Sequence, residues 1–302
     1  MAMQVQFKEI AASFDSGRFA LVVDEFRVEN EMRRDWHRYI QIYCVHERRL
    51  VSRFEVKDYT DPLHIALVEK KRGGVLTASH RGRVSLWTLD GKLIWARRDL
   101  RKAQAVHVIP HKTLEFVFGL WGDDNAYLIL NPIMGGTRHR ITFCTRVAAS
   151  LGGAYVMASR RGRAAGTWLL DPETFQPLWR VLPEEAFRIR PGPDSFLAIW
   201  FGGYAIIDFS GAILARRTAR GVLDAAWHQA GYWTAYDATV SPNEILAIQP
   251  DGKSKIVCRL DSFAGSHATL LAGGTMIAGS SGKVLDTSNG LLIWDFSGAL
   301  AT

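Results

Sequence analysis

The sequence predicts an all-β repeat protein, and three observations support this fold class. First, apolar runs of 5 to 8 residues, rich in β-branched and aromatic side chains, are separated by Gly, Asp, Pro or Asn, as strands and turns require. Second, no stretch keeps a helical apolar period over 12 residues. Third, the unit Val75–Trp95 recurs with local changes at Tyr155–Trp179, Phe196–Leu214 and Thr275–Trp294, which indicates a repeat architecture.

The spacing of the repeats predicts the number of units. The last large apolar residue of each unit recurs at a mean spacing of about 40 residues, which matches one four-stranded propeller blade. We therefore expect a seven-bladed β-propeller of four-stranded antiparallel blades, forming one domain over residues 1–302. The seven positions are Phe54, Trp95, Ile141, Trp179, Leu214, Val257 and Trp294, and the blades cover approximately residues 5–56, 64–98, 105–143, 147–181, 187–215, 225–259 and 268–296.

The first blade is expected to contain the longest irregular segment. The charged stretch Glu29–Tyr39 between its second and third strands is predicted to form a long loop or a single helical turn. Residues 1–8 either start this blade or lend a strand to blade seven, and both arrangements stay open. The four strands of the blade are expected at Val5–Phe14, Phe19–Asp24, Tyr39–Val45 and Leu50–Val56.

The inner strands of the other blades are predicted to be covered on both faces. The run Val84–Leu89 is apolar at both parities, which is typical of a strand in a sheet packed between two others. An apolar content of 48% and ten Trp residues supply the side chains for wide interfaces between stacked sheets. Closing such a ring also removes long exposed sheet edges.

Two turn patterns carry a resemblance to known propellers. The segment Gly282–Trp294 resembles the quinoprotein-like (PQQ-like) repeat, in which a strand ending in Asp turns through Gly into a strand ending in Trp. Gly82–Trp95 and Gly166–Trp179 fit the same pattern, while Ile10–Gly17 and Phe187–Asp194 resemble the first-strand turn of WD40 repeats. The resemblance covers most of the chain and implies the WD40/quinoprotein-like β-propeller fold.

The chain also departs from both patterns. The Gly-His opening and the terminal Trp-Asp of WD40 blades are missing, and Trp294–Asp295 falls in a fourth strand, where that motif does not belong. We do not carry over the cofactor of quinone-dependent dehydrogenases. Because propellers host unrelated activities, the fold by itself says little about function.

Composition limits the cellular setting and the kind of partner. The formal net charge of +7, from 37 basic and 30 acidic residues, favours acidic partners. Cys44, Cys144 and Cys258 form no CxxC pair and are expected to be reduced and buried, without a metal or redox role. The N-terminus has no apolar signal core, and the run Phe19–Val23 is too short to span a bilayer. We therefore expect a cytoplasmic protein that is a monomer when alone.

Most catalytic and cofactor motifs are excluded by single residues. Gly252–Ser254 resembles the end of a phosphate-binding loop, but Ala247 stands where the first glycine belongs. His46–Glu47 begins a zinc-protease pattern that fails at Leu50, and no nucleophile elbow occurs. Neither a cofactor nor a bound metal is expected.

Some ionisable residues keep two weaker hypotheses open. His64, His107, His228 and His267 fall in or near predicted first strands, which line a propeller's channel, so they form either a metal or phosphate site or, preferably, hydrogen-bonded structural groups. A hydrolase or lyase site at the channel mouth would use acid–base groups in exposed loops. Its candidate residues are Asp123, Asp124, His80 and Asp237.

The propeller topology sorts the basic residues onto one face. Loops joining second to third strands, and links between blades, emerge together; we call this side of the ring the first face. Arg and Trp there form a candidate binding set, because Arg pairs with carboxylates and Trp supplies apolar contact area. The alternative is that these Arg side chains lie along neighbouring strands and are neutralised by Glu25, Glu29, Glu31, Asp35, Glu184 and Glu185. The candidate residues are Arg33, Arg34, Trp36, Arg81, Arg83, Trp121, Arg160, Arg161, Arg163, Trp200, Arg216 and Arg217.

Three classes of function follow from this surface. The first is a non-catalytic interaction propeller that binds an acidic protein partner, as an inhibitor or immunity protein or as an assembly scaffold. The second is nucleic-acid or phosphate-ligand binding by the same face, through backbone contacts and base stacking. The third is the channel-mouth enzyme. The first class is the leading hypothesis, because the Arg residues are interleaved with acidic residues and no nucleic-acid motif occurs. The basic turns Ser79–Arg83 and Ser159–Arg163, which repeat between blades, are the best candidates for the binding surface.

Overall fold

The computed structural model describes residues 3–13, 17–29, 31–57, 63–70, 74–100, 103–122, 126–218, 221–238, 242–260, 268–279 and 282–296. These form seven four-stranded antiparallel sheets arranged as a seven-bladed β-propeller, which confirms the predicted fold class. In each sheet the strands lie side by side in chain order, so each blade is a meander of three hairpins.

The first four blades are contiguous in sequence. Blade one contains β1 (Gln4–Ala12), β2 (Arg18–Glu29), β3 (Met32–Cys44) and β4 (Arg49–Glu55). Blade two contains β5 (Leu63–Val68), β6 (Gly74–Ser79), β7 (Val84–Trp87) and β8 (Leu93–Arg97). Blade three contains β9 (Ala103–His111), β10 (Glu115–Gly122), β11 (Ala126–Leu130) and β12 (Thr137–Thr142). Blade four contains β13 (Cys144–Ala149), β14 (Val156–Arg160), β15 (Gly166–Leu170) and β16 (Pro177–Leu182), with a short 3-10 helix at Gly162–Ala164.

The remaining three blades follow the same order. Blade five contains β17 (Arg188–Pro191), β18 (Ser195–Trp200), β19 (Gly203–Asp208) and β20 (Ile213–Thr218). Blade six contains β21 (Val222–His228), β22 (Tyr232–Asp237), β23 (Asn243–Ile248) and β24 (Ser254–Leu260). Blade seven contains β25 (Ala268–Leu271), β26 (Met276–Gly279), β27 (Lys283–Asp286) and β28 (Leu292–Asp295), with a 3-10 helix at Ala272–Gly274.

The repeated turn and Trp have one packing function. Gly91, in the turn between β7 and β8, has a φ of 85°, and a Cβ there would lie 2.5 Å from the Phe54 side chain of the preceding blade. Gly135 meets Trp95 of its preceding blade in the same way, with 2.7 Å to the indole ring. The turn must therefore be Gly both for its left-handed backbone and because the neighbouring blade's aromatic residue occupies the space. The sequence unit therefore recurs because the same contact between neighbouring blades recurs.

The burial pattern follows the stacking of the sheets. Every residue of β6 is buried, whereas most residues of the outermost strand β8 are exposed or half-buried. Apolar side chains from facing sheets form a separate cluster at each blade interface; one example joins Leu76 and Leu86 of blade two to Phe116 and Phe118 of blade three. The core therefore consists of the interfaces between neighbouring blades. The loops on the two faces of the ring lie outside this core and are available for binding.

The charged segment Glu29–Tyr39 is not a loop or helical turn, as predicted, but part of a long hairpin. β2 and β3 have 12 and 13 residues and stay paired to Glu29 opposite Met32, with Glu31 in the turn at a φ of 64°. The prediction failed because this part of the hairpin extends past the body of the blade. Its side chains are mostly exposed, so the sequence shows no apolar alternation there.

The ring closes between two complete sheets. β1 is the first strand of blade one, and the last sheet consists of β25 to β28, so residues 4–12 start blade one instead of completing blade seven. The seam between these blades is an aromatic cluster. Phe19 and Tyr43 of blade one stack at 5.2 Å, and Phe296 lies 5.3 and 5.2 Å from their ring centres. Side-chain packing therefore holds this seam together among the residues that the structure describes.

The burial of the three cysteine side chains determines the reactivity of their thiols. Cys44 and Cys144 are buried, Cys258 is half-buried, and all three are free. Burial raises the pKa of the Cys144 thiol to about 12, which makes it a poor nucleophile. Across the described ranges, no helix is long and apolar enough to cross a membrane.

Candidate protein-interaction face

The densest part of the predicted set lies where blades three, four and five meet on the first face. Arg161, in the turn after β14, places its Nε 2.6 Å from Oε1 of Glu185, which lies in the link between blades four and five. The Arg161 guanidinium also lies over the Trp121 ring at 5.3 Å, and that of Arg146 lies over the same ring at 5.1 Å. Trp121 of blade three is therefore contacted by two arginines of blade four.

The neighbouring arginines of the same turn are less constrained. Arg160 lies over the Trp168 ring at 5.3 Å and donates from Nη2 to the Thr142 carbonyl at 3.4 Å. Arg163 is exposed in the 3-10 helix, where none of the residues adjoining it in the helix is buried. In the part of the chain that the structure describes, Arg161 has a carboxylate partner and neither Arg160 nor Arg163 has one, so the charges of these two remain for an incoming carboxylate.

Blade five continues the pattern. The Arg216 guanidinium contacts the Glu184 carboxylate and lies over the Trp200 ring at 5.6 Å. Arg217, the next residue of β20, donates from Nη2 to the Asp251 carbonyl of blade six at 3.3 Å. Blades four and five therefore each place an arginine over a tryptophan and pair it with an acidic residue of the link between them.

Two exposed aromatic residues in this region were missed at the sequence level. Phe201 is 88% exposed in the tight turn between β18 and β19, and its ring centre lies 4.9 Å from that of Phe187. Phe143 is 51% exposed in the link between blades three and four and has a φ of 54°. Their positions in the sequence could have revealed them, because both aromatic residues occupy turns, where polar residues or Gly are usual.

We call the resulting surface the blade 3–5 arc. It combines cations, half-buried indoles and exposed phenyl rings, which is the composition expected of an interface centre more than of an ordinary surface. Its residues are Trp121, Phe143, Arg160, Arg161, Arg163, Phe187, Trp200, Phe201, Arg216 and Arg217.

The other predicted residues lie elsewhere on the first face. Arg33 and Arg34 are exposed on the long hairpin of blade one, where Arg33 lies over Phe26 at 4.4 Å and Arg34 lies 3.8 Å from Glu29. Trp36 is half-buried on the same strand, with Arg33 over its ring at 5.6 Å. Blade two carries the basic turn of β6 and β7 with the remaining pair, exposed Arg81 and half-buried Arg83. The structure thus divides the predicted set into three groups.

The acidic residues neutralise part of this face, as the alternative hypothesis anticipated. Glu184 and Glu185 pair with arginines of the arc, and on the hairpin Asp35 lies 3.5 Å from Arg27. Glu25 pairs with Arg53 of the outermost strand at 2.7 Å. The surface therefore alternates in charge instead of forming a uniform basic field.

The two described residues that were suggested for catalysis, His80 and Asp237, do not come together. Asp123 and Asp124 lie outside the described residues. His80 is half-buried in a turn of blade two, whereas Asp237 is buried at the end of β22 in blade six. Across the described ranges, no group of three or more His, Cys, Asp or Glu is arranged to hold a metal ion.

A pocket of about 270 Å³ lies between blades two and three. Arg97 and Asp99 from the end of blade two line it together with Arg140 of β12. Arg97 is held in place, because it contacts the Asp99 carboxylate and donates from Nη1 to the Gly135 carbonyl at 2.7 Å. The pocket is therefore lined mainly by groups that serve the blade interface.

Comparisons with known proteins identify the fold. No family profile and no curated protein match the sequence. Solved structures match it closely in shape and weakly in sequence. Chaetomium thermophilum Sqt1 bound to the N-terminus of the ribosomal protein L10 has a TM-score of 0.64 at 13% identity, covering 95% of this chain and 86% of that chain. The Dos1 propeller has a TM-score of 0.62 at 12% identity, covering 98% and 86%.

The WD40 domain of Neurospora crassa Pan2 also matches, with a TM-score of 0.63 at 14% identity, covering 90% of this chain and 85% of that chain. These likenesses confirm the predicted WD40-like propeller fold. At such low identity they carry the architecture alone, so function must be argued from the surface itself.

Proposed function

We propose that this chain is a non-catalytic interaction propeller that binds an acidic segment of a protein partner across the blade 3–5 arc. The observation that carries the proposal is the exposed Phe201 ring, next in the chain to Trp200, over whose ring the Arg216 guanidinium lies. An exposed phenyl group offers apolar area to a partner, and the adjacent guanidinium groups offer forked donors to its carboxylates. The matching Sqt1 structure, whose propeller holds the N-terminus of a ribosomal protein, supports a protein segment as the kind of occupant.

The proposed role is that of a dedicated inhibitor or immunity protein, or of an assembly scaffold. The proposed setting is the cytoplasm, and the free protein is proposed to be a monomer. The buried, unpaired thiols of Cys44 and Cys144 fit a reducing compartment. Affinity purification with quantitative mass spectrometry separates the roles, since one stoichiometric partner supports the inhibitor and several partners support the scaffold.

Charge reversal at Arg160, Arg161 and Arg163 is expected to abolish partner binding and to leave thermal stability nearly unchanged. Arg163 is exposed, Arg160 is half-buried against the Trp168 ring, and Arg161 loses one exposed ion pair, which costs about 1 kcal/mol or less. The measurement is isothermal titration calorimetry with the purified partner, alongside a thermal melt of the variant.

A matched control carries the same charge change on the opposite face. Arg48 and Lys253 lie in turns between third and fourth strands, and Arg49 is the first residue of β4 and contacts Glu47 much as Arg161 contacts Glu185. Reversal of these three residues should leave partner affinity within about twofold of the wild type. Equal losses in the two triple variants would show that net charge acts instead of the arc.

Phe201→Ala is expected to weaken partner binding by at least about tenfold, which corresponds to about 1.4 kcal/mol. The ring is 88% exposed, so its removal should change the free energy of unfolding by no more than about 0.5 kcal/mol. Leu178→Ala, an exposed apolar truncation on the outer strand β16, is the control. If Phe201→Ala binds like the wild type, the arc is not the centre of the interface.

Salt dependence distinguishes a protein partner from nucleic acid. Binding of single-stranded oligonucleotides through the same arginines would fall steeply between low and moderate salt, because counterions are released from the phosphates. The paired acids Glu184 and Glu185 oppose a polyanion, so we expect no saturable oligonucleotide binding at moderate salt. Steep, saturable binding would replace the proposed partner with nucleic acid.

A further inference from the structure

The central channel carries its own charged cluster, separate from the arc. The innermost strands of a propeller surround the channel, and six of them contribute ionisable side chains. Charges interact across this space, because Glu9 of blade one acts on Arg188 of blade five, and His107 of blade three lies in the field of Arg188 and Arg190. The group consists of Glu9 on β1, His64 on β5, His107 on β9, Arg146 on β13, Arg188 and Arg190 on β17, and Asp224 on β21.

Hydrogen bonds and ion pairs hold the guanidinium groups of the three arginines, and all three side chains are half-buried. Arg190 donates from Nε and Nη2 to one Asp224 oxygen at 2.8 and 2.7 Å, while Nε of Arg188 is 4.0 Å from the same atom. Arg146 donates from Nε to the Phe187 carbonyl at 3.1 Å and from Nη1 to the Thr145 carbonyl at 2.7 Å. Although they lie on the innermost strand, the Arg188 and Arg190 side chains are 36% and 38% exposed, so the channel reaches both.

Within the described ranges of the chain, the positive charges of this cluster outnumber the negative ones. Three guanidinium groups face two carboxylates, and the Glu9 carboxylate already lies 3.5 Å from the His64 ring. Burial lowers the pKa of Arg146 to about 10, and the charges of Arg188, Arg161 and Arg190 lower it too. Burial also lowers the pKa of Arg188 and that of His107, whose ring is therefore neutral at pH 7. Cations in this position are only partly solvated, and they share few carboxylates.

Three buried nitrogen atoms of the cluster lack a hydrogen-bond partner. Among the residues that the structure describes, they are Nε of Arg188 and Nε2 of both His64 and His107. Buried polar atoms are normally satisfied, by a protein group, by water or by a ligand. An anion between blades three, four and five would accept a hydrogen bond from Nε of Arg188 and, in its Nε2–H tautomer, from His107, and it would separate the repelling guanidinium groups.

We propose that the channel binds a small phosphate-bearing anion, held by Arg188, Arg190 and Arg146 with His107 beside it. The planar fork of Arg matches phosphate oxygens, and three forks around one anion would offset the charge excess. Arg146 also lies over Trp121, so this site is joined to the blade 3–5 arc through one indole ring. The site is distinct from the surface proposed for the protein partner and needs no partner to be tested.

The test is calorimetric titration of inorganic phosphate into the full chain, at constant ionic strength in chloride. We expect saturable binding at one site per chain and a rise in melting temperature with phosphate concentration. Arg188→Gln should weaken phosphate binding by at least about tenfold, and Arg188→Lys should lie between it and the wild type, since Lys keeps the charge without the fork. Arg180→Gln, the same change on the outer strand β16, should leave phosphate affinity unchanged.

Three outcomes would overturn the site. They are the lack of saturable phosphate binding to the wild-type chain, phosphate affinity that is equal in Arg188→Gln and Arg180→Gln, and equal affinity for acetate and phosphate. Folding does not confound the test, because removing one of three repelling cations should leave the melting temperature in chloride equal to or above that of the wild type. Phe201→Ala should bind phosphate like the wild type, which separates this site from the partner surface.

Discussion

Asp24→Ala is expected to lower the free energy of unfolding by about 3–5 kcal/mol, because it removes a bidentate carboxylate partner from a fully buried guanidinium. Asp24 and Arg38 face each other across β2 and β3 and are both 0% exposed. Two hydrogen bonds join them, from Nε to Oδ1 at 2.6 Å and from Nη2 to Oδ2 at 2.8 Å. Urea unfolding followed by circular dichroism measures the change.

A control on the same hairpin separates burial from charge pairing. Glu29→Ala removes the exposed partner of Arg34 and should cost about 1 kcal/mol or less. Replacing the buried pair together, by Asp24→Leu with Arg38→Met, should recover most of the loss, since no charge is then left buried. A loss for Asp24→Ala as small as that for Glu29→Ala would mean that water reaches the pair.

Phe296→Ala is expected to cost about 3–5 kcal/mol, because it opens a cavity in the seam between the first and last blades. The Phe296 ring is 0% exposed and contacts the rings of Phe19, Tyr43 and Trp294. Since side chains hold this seam, we also expect local opening of the last blade. Hydrogen exchange read by mass spectrometry should show faster exchange in β25 to β28 than in β17 to β20.

Phe196→Ala is the matched control, because Phe196 is equally buried but packs at the interface between blades four and five. It should lose a similar free energy of unfolding without selective exposure of the last blade. Equal exchange in blade seven for both variants would contradict a weaker seam at the point of closure.

The fold could be predicted because the same contact between neighbouring blades recurs and requires the same residues each time. The Asp90–Gly91 turn and Trp95 are visible in sequence, and they mark the places where one blade's turn meets the preceding blade's outer strand. The long hairpin could not be predicted in this way. Its extension is stabilised by backbone pairing and by the Asp24–Arg38 pair at its base, and neither produces a hydrophobic period.

Only part of the candidate site could be predicted from the sequence. The basic turns containing Arg81 and Arg160 were found because they repeat, and strand order placed them on one face. Which arginines already have an acidic partner depends on links between blades, as with Arg161 and Glu185, and local sequence does not encode that distance. The sequence placed His64 and His107 at the channel, but it did not point to the arginines of the cluster, because Arg146 and Arg188 belong to different blades and come together only when neighbouring blades stack.

The seam also determines how the molecule should respond to a pulling force. Within a blade, neighbouring strands are joined by ladders of hydrogen bonds that must be broken together when sheared. Across the seam, tension between β1 and β28 would meet aromatic packing instead, and forced unfolding is governed by the unfolding rate of the weakest element. In single-molecule stretching, the ring should therefore open at the seam first, as a low-force event, and then extend blade by blade as a linear array.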